Sequence, residues 1–482
     1  MAGLKIVMVA SEMSPFAKTG GLADVVGALP QAIADRGNEV CVVMPKYADI
    51  RVPMELYHSP MGVWMGGVEE WCSVYRTWVG KIPVYFIEQN NYFGRHGIYN
   101  DSNMRDYEDN PRRYAFLCRA AMQICIDKDY SPHIFHVHDW QTALLPAYLA
   151  TWDWRGTVLE NTSSILTLHN MAYQGIYPKQ NLPYMGIGWE HFTADKFESY
   201  DAINMLKGGI HFAPVVNTVS PTYANEITSG QGYGLDNLLR AKGGRFGGIL
   251  NGVDYNVWSP EADRYIPFNF SKENMDGKWA CKTAIQDTFG LERTSAEPLF
   301  GIVGRFASQK GYNILAETIE PLMHNSNIQI VILGSGDKEL EGFYNHMAHK
   351  YPNQFGCHIG FSESLAHLIE AGSDFFVMPS LFEPCGLNQI YSLKYGTLPI
   401  VRATGGLNDT VANYNPHTGE GTGFKFHDFT AEALYGTIVW AVNTYHGRPD
   451  HMQQLRWNAM NAWFGWDVSA EQYENAYHLA LQ

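Results

Sequence analysis

The arrangement of the chain is clearest in residues 4–26, which read LKIVMVASEMSPFAKTGGLADVV. Leu4 to Ala10 form a mainly apolar run that is short enough to be a buried strand. A glycine pair follows at Gly20 and Gly21, and the apolar residues beyond it recur at helical spacing. A strand, a glycine turn and a helix in this order are typical of a βα unit whose strand joins a parallel sheet.

The same alternation continues along the chain. In the first half we interpret these runs as buried strands: Leu4–Ala10, Glu39–Met44, Val84–Ile87, Ile134–His138, Ser164–His169 and Val215–Ser220. A second series comprises Leu299–Val303, Ile328–Leu333, Phe355–Gly360, Phe375–Met378 and Leu398–Val401. Longer amphipathic stretches separate the runs, which predicts two α/β, doubly wound, Rossmann-like domains.

The boundary between the two series is predicted at Leu250–Asp254 and the polar, proline-containing stretch that continues to about Arg264, which we interpret as a hinge. We therefore expect an N-terminal domain over 1–252 and a C-terminal domain over 253–458. Residues 459–482 include a further helical pattern, and we expect this C-terminal helix to pack back on the N-terminal domain. Two doubly wound halves that face each other would leave a central cleft at the carboxyl ends of their strands, where such folds bind ligands.

Composition excludes several classes of function. The formal net charge of −15 opposes binding to nucleic acid or to an anionic membrane surface. The 7 cysteines show no CxxC spacing, which argues against a disulfide framework or a structural zinc site. The N-terminus has no signal-peptide pattern and no apolar run is long enough to span a bilayer, so we expect a cytoplasmic protein. No motif in the sequence indicates the oligomeric state.

The glycine turn carries the first candidate site. Paired glycines at Gly20 and Gly21 allow backbone N–H groups to approach an anion, a helix that begins there adds its positive end, and Lys18 adds a full charge. The alternative is an ordinary turn with a solvated lysine. The sequence is neither a Walker loop nor a G-x-G-x-x-G fingerprint, so it does not favour an ATPase or a dinucleotide-binding protein.

Two strand ends in the first half carry polar residues. His136 and His138 point the same way in a strand, and Asp139 follows them. We interpret the histidines first as a polar cleft wall, then as buried core residues, and last as a zinc pair, because no third ligand is marked. Asp139 is placed to contact a sugar hydroxyl or to orient a neighbour.

The next strand end reads LHNMAYQG at Leu168–Gly175. His169 and Asn170, followed by Tyr173 and Gln174, suit a neutral polyol, because they offer short donors and acceptors beside an aromatic face. A capped turn with a core histidine explains this segment about as well.

The second half supplies two cations on one loop, Arg305 and Lys310. A departing nucleoside diphosphate gains negative charge, so these residues would act as electrophilic catalysts in place of a divalent metal. A solvated basic loop is the alternative, but we favour the catalytic interpretation in so acidic a chain. We expect no metal and no organic cofactor.

Glu383 precedes a proline and a glycine that lead into a predicted helix, so backbone amides at Cys385, Gly386 and Leu387 would be free for ligand oxygens. An N-terminal cap would explain Glu383 equally simply. Cys385 is more readily a packing residue than a nucleophile, since no base is marked nearby. A second glycine pair follows downstream. By the same reasoning as for Gly20 and Gly21, we expect Thr404, Gly405 and Gly406 to bind the donor.

Taken together, these motifs resemble the bacterial glycogen synthase and plant starch synthase family of retaining GT-B glucosyltransferases. The resemblance runs from the first strand to the final helix. It rests on KTGGLADVVGALP at 18–30, HVHDWQTAL at 136–144, LHNMAYQG at 168–175, LNGVD at 250–254, GRFASQKG at 304–311, FEPCGLNQ at 382–389 and YGTLPIVRATGGL at 395–407.

The resemblance implies ADP-glucose, less often UDP-glucose, as donor and the non-reducing end of an α-1,4-glucan as acceptor. By motif position, it implies that Lys18, Gly20 and Gly21 lie at the donor phosphates and that Arg305 and Lys310 stabilise the leaving diphosphate. It further implies that Asp139 and His169 line the glucosyl and acceptor site, that Asn251 lies in the cleft and that Glu383 holds the transferred glucose. Retention without a placed nucleophile implies a front-face displacement.

Two positions differ from relatives in the wider class. Tyr391 stands where many members have a second glutamate, as in this synthase branch, and Asn388 stands where several family members have Thr, which leaves donor preference open.

Aromatic residues suggest a glucan platform because sugar faces stack on rings. The predicted acceptor contacts are Tyr92, Phe93, Arg95, Tyr99, Tyr173 and Gln174.

Three rival interpretations are weaker. A glycogen phosphorylase would need a lysine that bears pyridoxal phosphate, and a dinucleotide oxidoreductase would need its glycine fingerprint. A catalytically weak protein that binds glucan or starch granules would be expected to lack Lys18, Arg305, Lys310 or Glu383, and all four are present. The sequence does not distinguish glycogen from starch as product, and association with either particle is left open.

Overall fold

The computed structural model of the chain describes residues 3–103 and 105–482. The polypeptide forms two compact units. Unit 1 comprises residues 1–252 together with 466–482, and unit 2 comprises residues 253–465. Within the described ranges no helix is both long and apolar enough to cross a membrane.

Unit 1 is built on a twisted sheet and a small antiparallel sheet. Its strands are β1 (Lys5–Val9), β2 (Glu39–Pro45), β3 (Glu55–Met65), β4 (Val68–Val79), β5 (Ile82–Glu88), β6 (Ile134–His138), β7 (Ser163–Leu168), β8 (Ile176–Pro178), β9 (Glu198–Ser199), β10 (Ala202–Asn204), β11 (Val215–Thr218) and β12 (Phe246–Gly248). The main sheet has the order β12-β11-β7-β6-β1-β2-β5-β4-β3, and the small sheet has the order β8-β10-β9.

The helices of unit 1 lie mainly between these strands. They are α1 (Gly21–Asp35), α2 (Asn90–Phe93), α3 (Asn110–Asp127), α4 (Asp139–Thr142), α5 (Leu144–Thr151), α6 (Leu182–Met185), α7 (Met205–Phe212), α8 (Pro221–Thr228) and α9 (Asp236–Ala241). The strands from β12 to β5 pair in parallel, whereas β3 and β4 add an antiparallel hairpin at one edge. The sequence did not predict this hairpin.

Unit 2 repeats the doubly wound arrangement with a parallel sheet. Its strands are β13 (Leu299–Phe306), β14 (Gln329–Gly336), β15 (Phe355–Ile359), β16 (Phe375–Met378), β17 (Leu398–Arg402) and β18 (Phe424–Phe426), in the order β15-β14-β13-β16-β17-β18. Its helices are α10 (Asp276–Phe289), α11 (Tyr312–Asn325), α12 (Lys338–Lys350), α13 (Glu363–Gly372), α14 (Asn388–Lys394), α15 (Gly405–Thr410), α16 (Ala431–Gly447) and α17 (Pro449–Asn461).

The last helix, α18 (Trp466–Ala480), returns to unit 1 and packs on α1 and β7. Its inward face buries Tyr473 and Tyr477, and Glu474 forms an ion pair with Arg36 on the end of α1 (2.6 Å). Unit 2 continues to Gly465 rather than to 458, because α17 packs on α14 and α16 of unit 2 and the return begins only with α18.

The strand order of each unit reverses at one point, and this reversal positions the candidate site. In unit 1, β1 lies between β6 and β2; in unit 2, β13 lies between β14 and β16. Crossovers run in opposite directions from such a strand, so the loops that follow its neighbours diverge and leave a crevice at the carboxyl edge. The predicted α/β class with two Rossmann-like domains is confirmed.

Candidate active site

The carboxyl edge of unit 2 brings Lys310 and Glu383 together. Lys310 lies in the turn after β13 and Glu383 in the loop after β16, and Lys310 Nζ is 2.6 Å from Glu383 Oε2. The Leu381 N–H donates to the Gln309 carbonyl (2.8 Å), which joins the two loops directly. The sequence predicted both residues but not this contact, because they are separated by 73 positions.

Glu383 is held firmly on one carboxylate oxygen. Its side chain is 5% exposed, and Oε2 accepts hydrogen bonds from Lys310 Nζ and from Ser380 Oγ (3.0 Å). A buried carboxylate needs such partners, since an unpaired one would be costly. Glu383 is therefore a fixed acceptor group beside a cation.

Arg305 lies near the end of β13, one loop away from this pair, and its side chain is exposed. Within residues 3–103 and 105–482 it forms no ion pair and no side-chain hydrogen bond. Its guanidinium group is thus available to a ligand, and it can form two parallel hydrogen bonds with phosphate oxygens.

The loop after Glu383 presents backbone donors at the start of α14. The N–H groups of Gly386 and Leu387 have no acceptor among the residues that the structure describes. Gly386 has a φ of +71°, which favours glycine. Cys385 is buried and forms no disulfide, in agreement with its interpretation as a packing residue.

The second glycine pair has a structural explanation. A Cβ at Gly405 would lie 1.9 Å from the Glu383 carbonyl oxygen, and one at Gly406 would lie 2.1 Å from that of Cys385. The Gly406 N–H already donates to the Glu383 carbonyl (3.1 Å), and Thr404 is buried. Close packing of α15 on the glutamate loop accounts for glycine at both positions, and the donor-side interpretation of Gly406 stays a prediction.

One aromatic residue at this edge was missed. Phe361 follows β15 and is 88% exposed, an unusual state for a phenylalanine. β15 is two strands from β13, so the carboxyl ends of these strands lie about 10 Å apart on the same edge of the sheet. Exposure cannot be read from the sequence, and the short GF dipeptide gave no signal of its own.

The two positions that differ from relatives are both engaged inside unit 2. Asn388 Nδ2 donates to the Val303 carbonyl (3.2 Å) and so ties α14 to β13. Tyr391 is stacked on Trp258, with ring centroids 3.9 Å apart. Trp258 in turn stacks on His367 (3.6 Å), so the tyrosine belongs to a packed aromatic column.

The first glycine turn, in unit 1, differs from the second. A Cβ at Gly20 or Gly21 would meet nothing within 4 Å, and neither N–H group has an acceptor among the described residues. Unit 1 itself therefore does not require glycine at either position, and the turn is open to a ligand. Lys18 is exposed and forms an ion pair with Asp24 (2.6 Å).

Glu12 holds this turn in place and was not predicted. The buried carboxylate accepts from the Thr19 N–H (2.5 Å), from Thr19 Oγ1 (2.6 Å) and from Tyr99 OH (2.5 Å). It lies just beyond β1, and an acidic residue directly after a strand is the sequence signal for such a role. Glu12 thus fixes the backbone that precedes Gly20.

The histidines of β6 are core residues and not a cleft wall. His136 is buried, and its ring nitrogens bond Tyr477 OH (3.0 Å) and Thr167 Oγ1 (2.8 Å). Burial lowers the pKa of His136 to about 3, so the ring is neutral. No cluster of three or more potential metal ligands occurs within residues 3–103 and 105–482.

Asp139 and His169 lie together at the adjacent ends of β6 and β7. Asp139 has a φ of +54°, and its Oδ1 accepts from the His169 N–H (2.6 Å). Asp139 thus orients a neighbour, one of the two roles predicted for it. Burial raises the pKa of Asp139 to about 7 and lowers that of His169 to about 3.

The remaining residues of this edge divide by exposure. Tyr173 is 60% exposed, whereas Gln174 is buried and accepts from Asn204 Nδ2 (2.5 Å). Gln174 therefore braces the loop against the residue that caps α7, and its acceptor role stays a prediction. Asn251 is also buried, and its Oδ1 has no hydrogen-bond partner in the described part of the chain.

The first four predicted acceptor contacts all have partners within unit 1. Phe93 is fully buried, and Tyr92 bonds Glu70 and Tyr184 through its hydroxyl. Arg95 forms a bidentate ion pair with Asp109. The Tyr99 hydroxyl forms hydrogen bonds with Ser11 Oγ and the Glu12 carboxylate. Side chains of helix α3 lie against the rings of Tyr92, Phe93 and Tyr99.

Comparison with known proteins identifies the family of the chain. Residues 5–241 match the family described as starch synthase catalytic domain, and residues 286–459 match glycosyl transferases group 1. Glycogen synthase 1 of Geobacter sulfurreducens is 46% identical over 100% of this chain and 97% of its own length. Glycogen synthase of Treponema denticola is 42% identical over 99% of both chains.

The chain belongs to the glycogen and starch synthase family. Among solved structures, the chain is similar to the catalytic domain of starch synthase IV from Arabidopsis thaliana. That structure is bound to ADP and acarbose. The TM-score is 0.90 at 31% identity, with 99% of each chain covered. The family is thus shown over the whole length, and the chain is an enzyme of the glycogen and starch synthase class.

Proposed function

We propose that the chain transfers glucose from ADP-glucose to the non-reducing end of an α-1,4-glucan with retention of configuration. The observation that carries this proposal is the Lys310–Glu383 pair at the strand-order reversal of unit 2, beside the exposed Arg305. A glucosyl nucleotide needs cations at its diphosphate and a fixed acceptor group at its sugar, and this edge supplies both.

The two cations stabilise the leaving group. When the bond between C1 and the phosphate oxygen breaks, the negative charge on the nucleoside diphosphate increases. Arg305 forms hydrogen bonds with the phosphate oxygens, and Lys310 adds a positioned charge in a site that Glu383 already orients. In this proposal the cations take the role that a divalent metal has in other transferases.

Glu383 binds the transferred glucose and does not attack it. Its Oε2 is occupied by two donors, which lowers its nucleophilicity and leaves Oε1 as an acceptor for a sugar hydroxyl. The acceptor O4 then attacks C1 from the face that the diphosphate leaves, and its proton passes to the departing phosphate oxygen. Configuration is retained without a covalent intermediate.

ADP is the favoured donor nucleotide because the Arabidopsis starch synthase IV structure contains it. The exposed Phe361 follows β15 at the carboxyl edge of unit 2, and we assign its ring to stacking on the base. Asn388 is directed at the Val303 carbonyl, so we expect it to affect donor choice only indirectly.

The glucan acceptor is supported by acarbose in the same structure. In unit 1, the exposed Tyr173 and the edge formed by Asp139 and His169 are the groups that we assign to sugar contacts. The open turn at Gly20 and Gly21 is assigned to an anionic group of the donor. Contact with glycogen particles or starch granules would follow from glucan binding.

The test is glucosyl transfer to maltoheptaose, measured with ADP-glucose and with UDP-glucose in parallel, each with EDTA and with added Mg²⁺. We expect turnover with ADP-glucose that is unchanged by EDTA. A preference for UDP-glucose would overturn the donor assignment alone. Loss of turnover in EDTA would contradict the cation mechanism, and no transfer from either donor would leave a glucan-binding protein.

A further inference from the structure

His138 is a buried residue that the mechanism above does not use. It ends β6, is completely buried, and its ring lies against that of His136 with centroids 4.2 Å apart. Its Nδ1 is 3.1 Å from Nε2 of His169, whereas its own Nε2 is buried and has no partner in the described part of the chain. One ring nitrogen is thus engaged and the other is isolated.

A hydrogen bond between two imidazoles requires one donor and one acceptor. Burial lowers the pKa of both rings, that of His169 to about 3, so both are neutral and each carries one proton. Two arrangements remain: either His138 donates through Nδ1, or His169 donates through Nε2. The bond length alone does not distinguish them.

The isolated Nε2 of His138 decides between the arrangements. If His169 were the donor, His138 would carry its proton on Nε2, and a buried N–H group would have no acceptor. Unpaired buried N–H groups are rarer in folded proteins than unpaired acceptors. The favoured arrangement places the His138 proton on Nδ1, directed at His169, and leaves a lone pair at the isolated nitrogen.

This arrangement fixes the proton of His169 as well. Because its Nε2 accepts, His169 carries hydrogen on Nδ1, which has no partner among the described residues. Asp139 holds the backbone of the same residue through the His169 N–H. Two successive residues at the end of β6 therefore control the position of His169 and the nitrogen that it offers.

We propose that His138 is a positioning residue that sets His169 in the Nδ1–H tautomer, so that His169 donates a hydrogen bond to a sugar oxygen of the glucosyl or acceptor unit. The second half of this statement rests on the proposed function, and the first half does not. Without this constraint, His169 Nδ1 would be a donor in one tautomer and an acceptor in the other. In the fixed tautomer it is a neutral donor, which binds a sugar hydroxyl through the lone pair of its oxygen.

The tautomer is measured on the wild-type protein without substrate. Long-range ¹H–¹⁵N spectra of protein labelled at its histidine rings distinguish protonated from unprotonated nitrogens, and the spectrum of His169→Asn assigns the signals. We expect a protonated Nδ1 and an unprotonated Nε2 for His169. The opposite pattern, or fast exchange between the two tautomers, would overturn the proposal, whether or not the protein transfers glucose.

Variants then test the link to catalysis. His138→Asn keeps an amide donor near the place of Nδ1, whereas His138→Leu removes it. We expect His138→Leu to lose the fixed tautomer and about 3- to 10-fold in kcat/KM, the loss typical of one neutral hydrogen bond. His138→Asn should restore most of both. Equal losses in the two variants would show that His138 only fills space.

Thr167→Val is the matched control for damage to the core. Thr167 is buried beside the same histidines but bonds His136 and Asn217, not His169. We expect this variant to lose stability and to keep the His169 signals of the wild type. A changed His169 tautomer in Thr167→Val would mean that general packing sets the tautomer, which contradicts a specific role for His138.

Discussion

Replacing Lys310 with methionine tests the role of its charge in catalysis and, separately, its role in stability. The variant keeps the length and most of the apolar stem of the side chain but removes the partner of Glu383 Oε2, 2.6 Å away. If Lys310 acts on the transition state, kcat should fall by about 10² to 10³, the usual loss when one positioned stabiliser is removed. KM for ADP-glucose should change less.

The same substitution has a cost in stability that can be worked from burial. Glu383 is almost completely buried, and Ser380 alone would remain as its donor. Leaving a buried polar group short of partners costs about 1–3 kcal/mol, and Lys310 is about a quarter exposed, so water reduces the loss toward the lower end. For a unit of this size, that corresponds to roughly 2–4 °C in Tm for each kcal/mol.

The double variant Lys310→Met, Glu383→Gln distinguishes catalysis from stability. It removes both charges, so Tm should recover toward that of the wild type while kcat remains low. Lys350→Met is the matched control, because Lys350 pairs with Glu320 on exposed helix surface of the same unit. It should leave kcat and Tm unchanged. A kcat for Lys310→Met within about fivefold of wild type would refute the reasoning.

Three further predictions concern pH, the donor base and the glycine pairs. The pKa of Asp139 is raised to about 7 in the folded state, above about 3.9 when unfolded, so rising pH removes stability between those values. Asp139→Asn should therefore gain unfolding free energy relative to wild type from pH 4.5 to pH 7.5, in urea titrations; a constant difference would contradict the shift. Phe361→Ala should raise KM for ADP-glucose about tenfold with little change in Tm, because the ring is exposed, and an unchanged KM would remove it from the donor site. Gly20→Ala should fold normally but bind donor weakly, whereas Gly405→Ala should lower Tm through its 1.9 Å clash; the reverse pattern would contradict our assignment of the two pairs.

The periodicity of the sequence predicted the strands that build both sheets. Runs such as Ile134–His138 and Phe375–Met378 coincide with β6 and β16, because strands of a parallel sheet are covered on both faces and read as continuous apolar segments. The β3–β4 hairpin was missed because it lies at the sheet edge. Its outer face carries exposed tryptophans such as Trp64 and Trp71, so no apolar and polar alternation marks it.

The site was predicted in residue type but not always in role. Arg305, Lys310 and Glu383 are named by local motifs, but the contact between Lys310 and Glu383 joins two motifs that are 73 positions apart. The burial of Phe93 depends on residues that are distant in sequence, since Tyr47 and Arg113 lie against its ring. His136 likewise finds its partner in Tyr477, 341 positions away. A local pattern cannot report whether another element will cover a side chain.

The two glycine pairs illustrate why a shared motif does not imply a shared role. At Gly405 and Gly406 the fold itself excludes a side chain, because the glutamate loop lies within 2.1 Å of where each Cβ would be. At Gly20 the backbone is extended and at both Gly20 and Gly21 the surroundings are empty, so the fold would accept alanine. Where the fold gives no reason for glycine, a ligand that approaches the backbone closely is the remaining physical reason. The second pair instead allows α15 to pack against the backbone that carries Glu383, the residue that we propose binds the transferred glucose. The glycine pair of unit 1 is thus assigned to binding and that of unit 2 to the support of a catalytic loop, although the two sequences read alike.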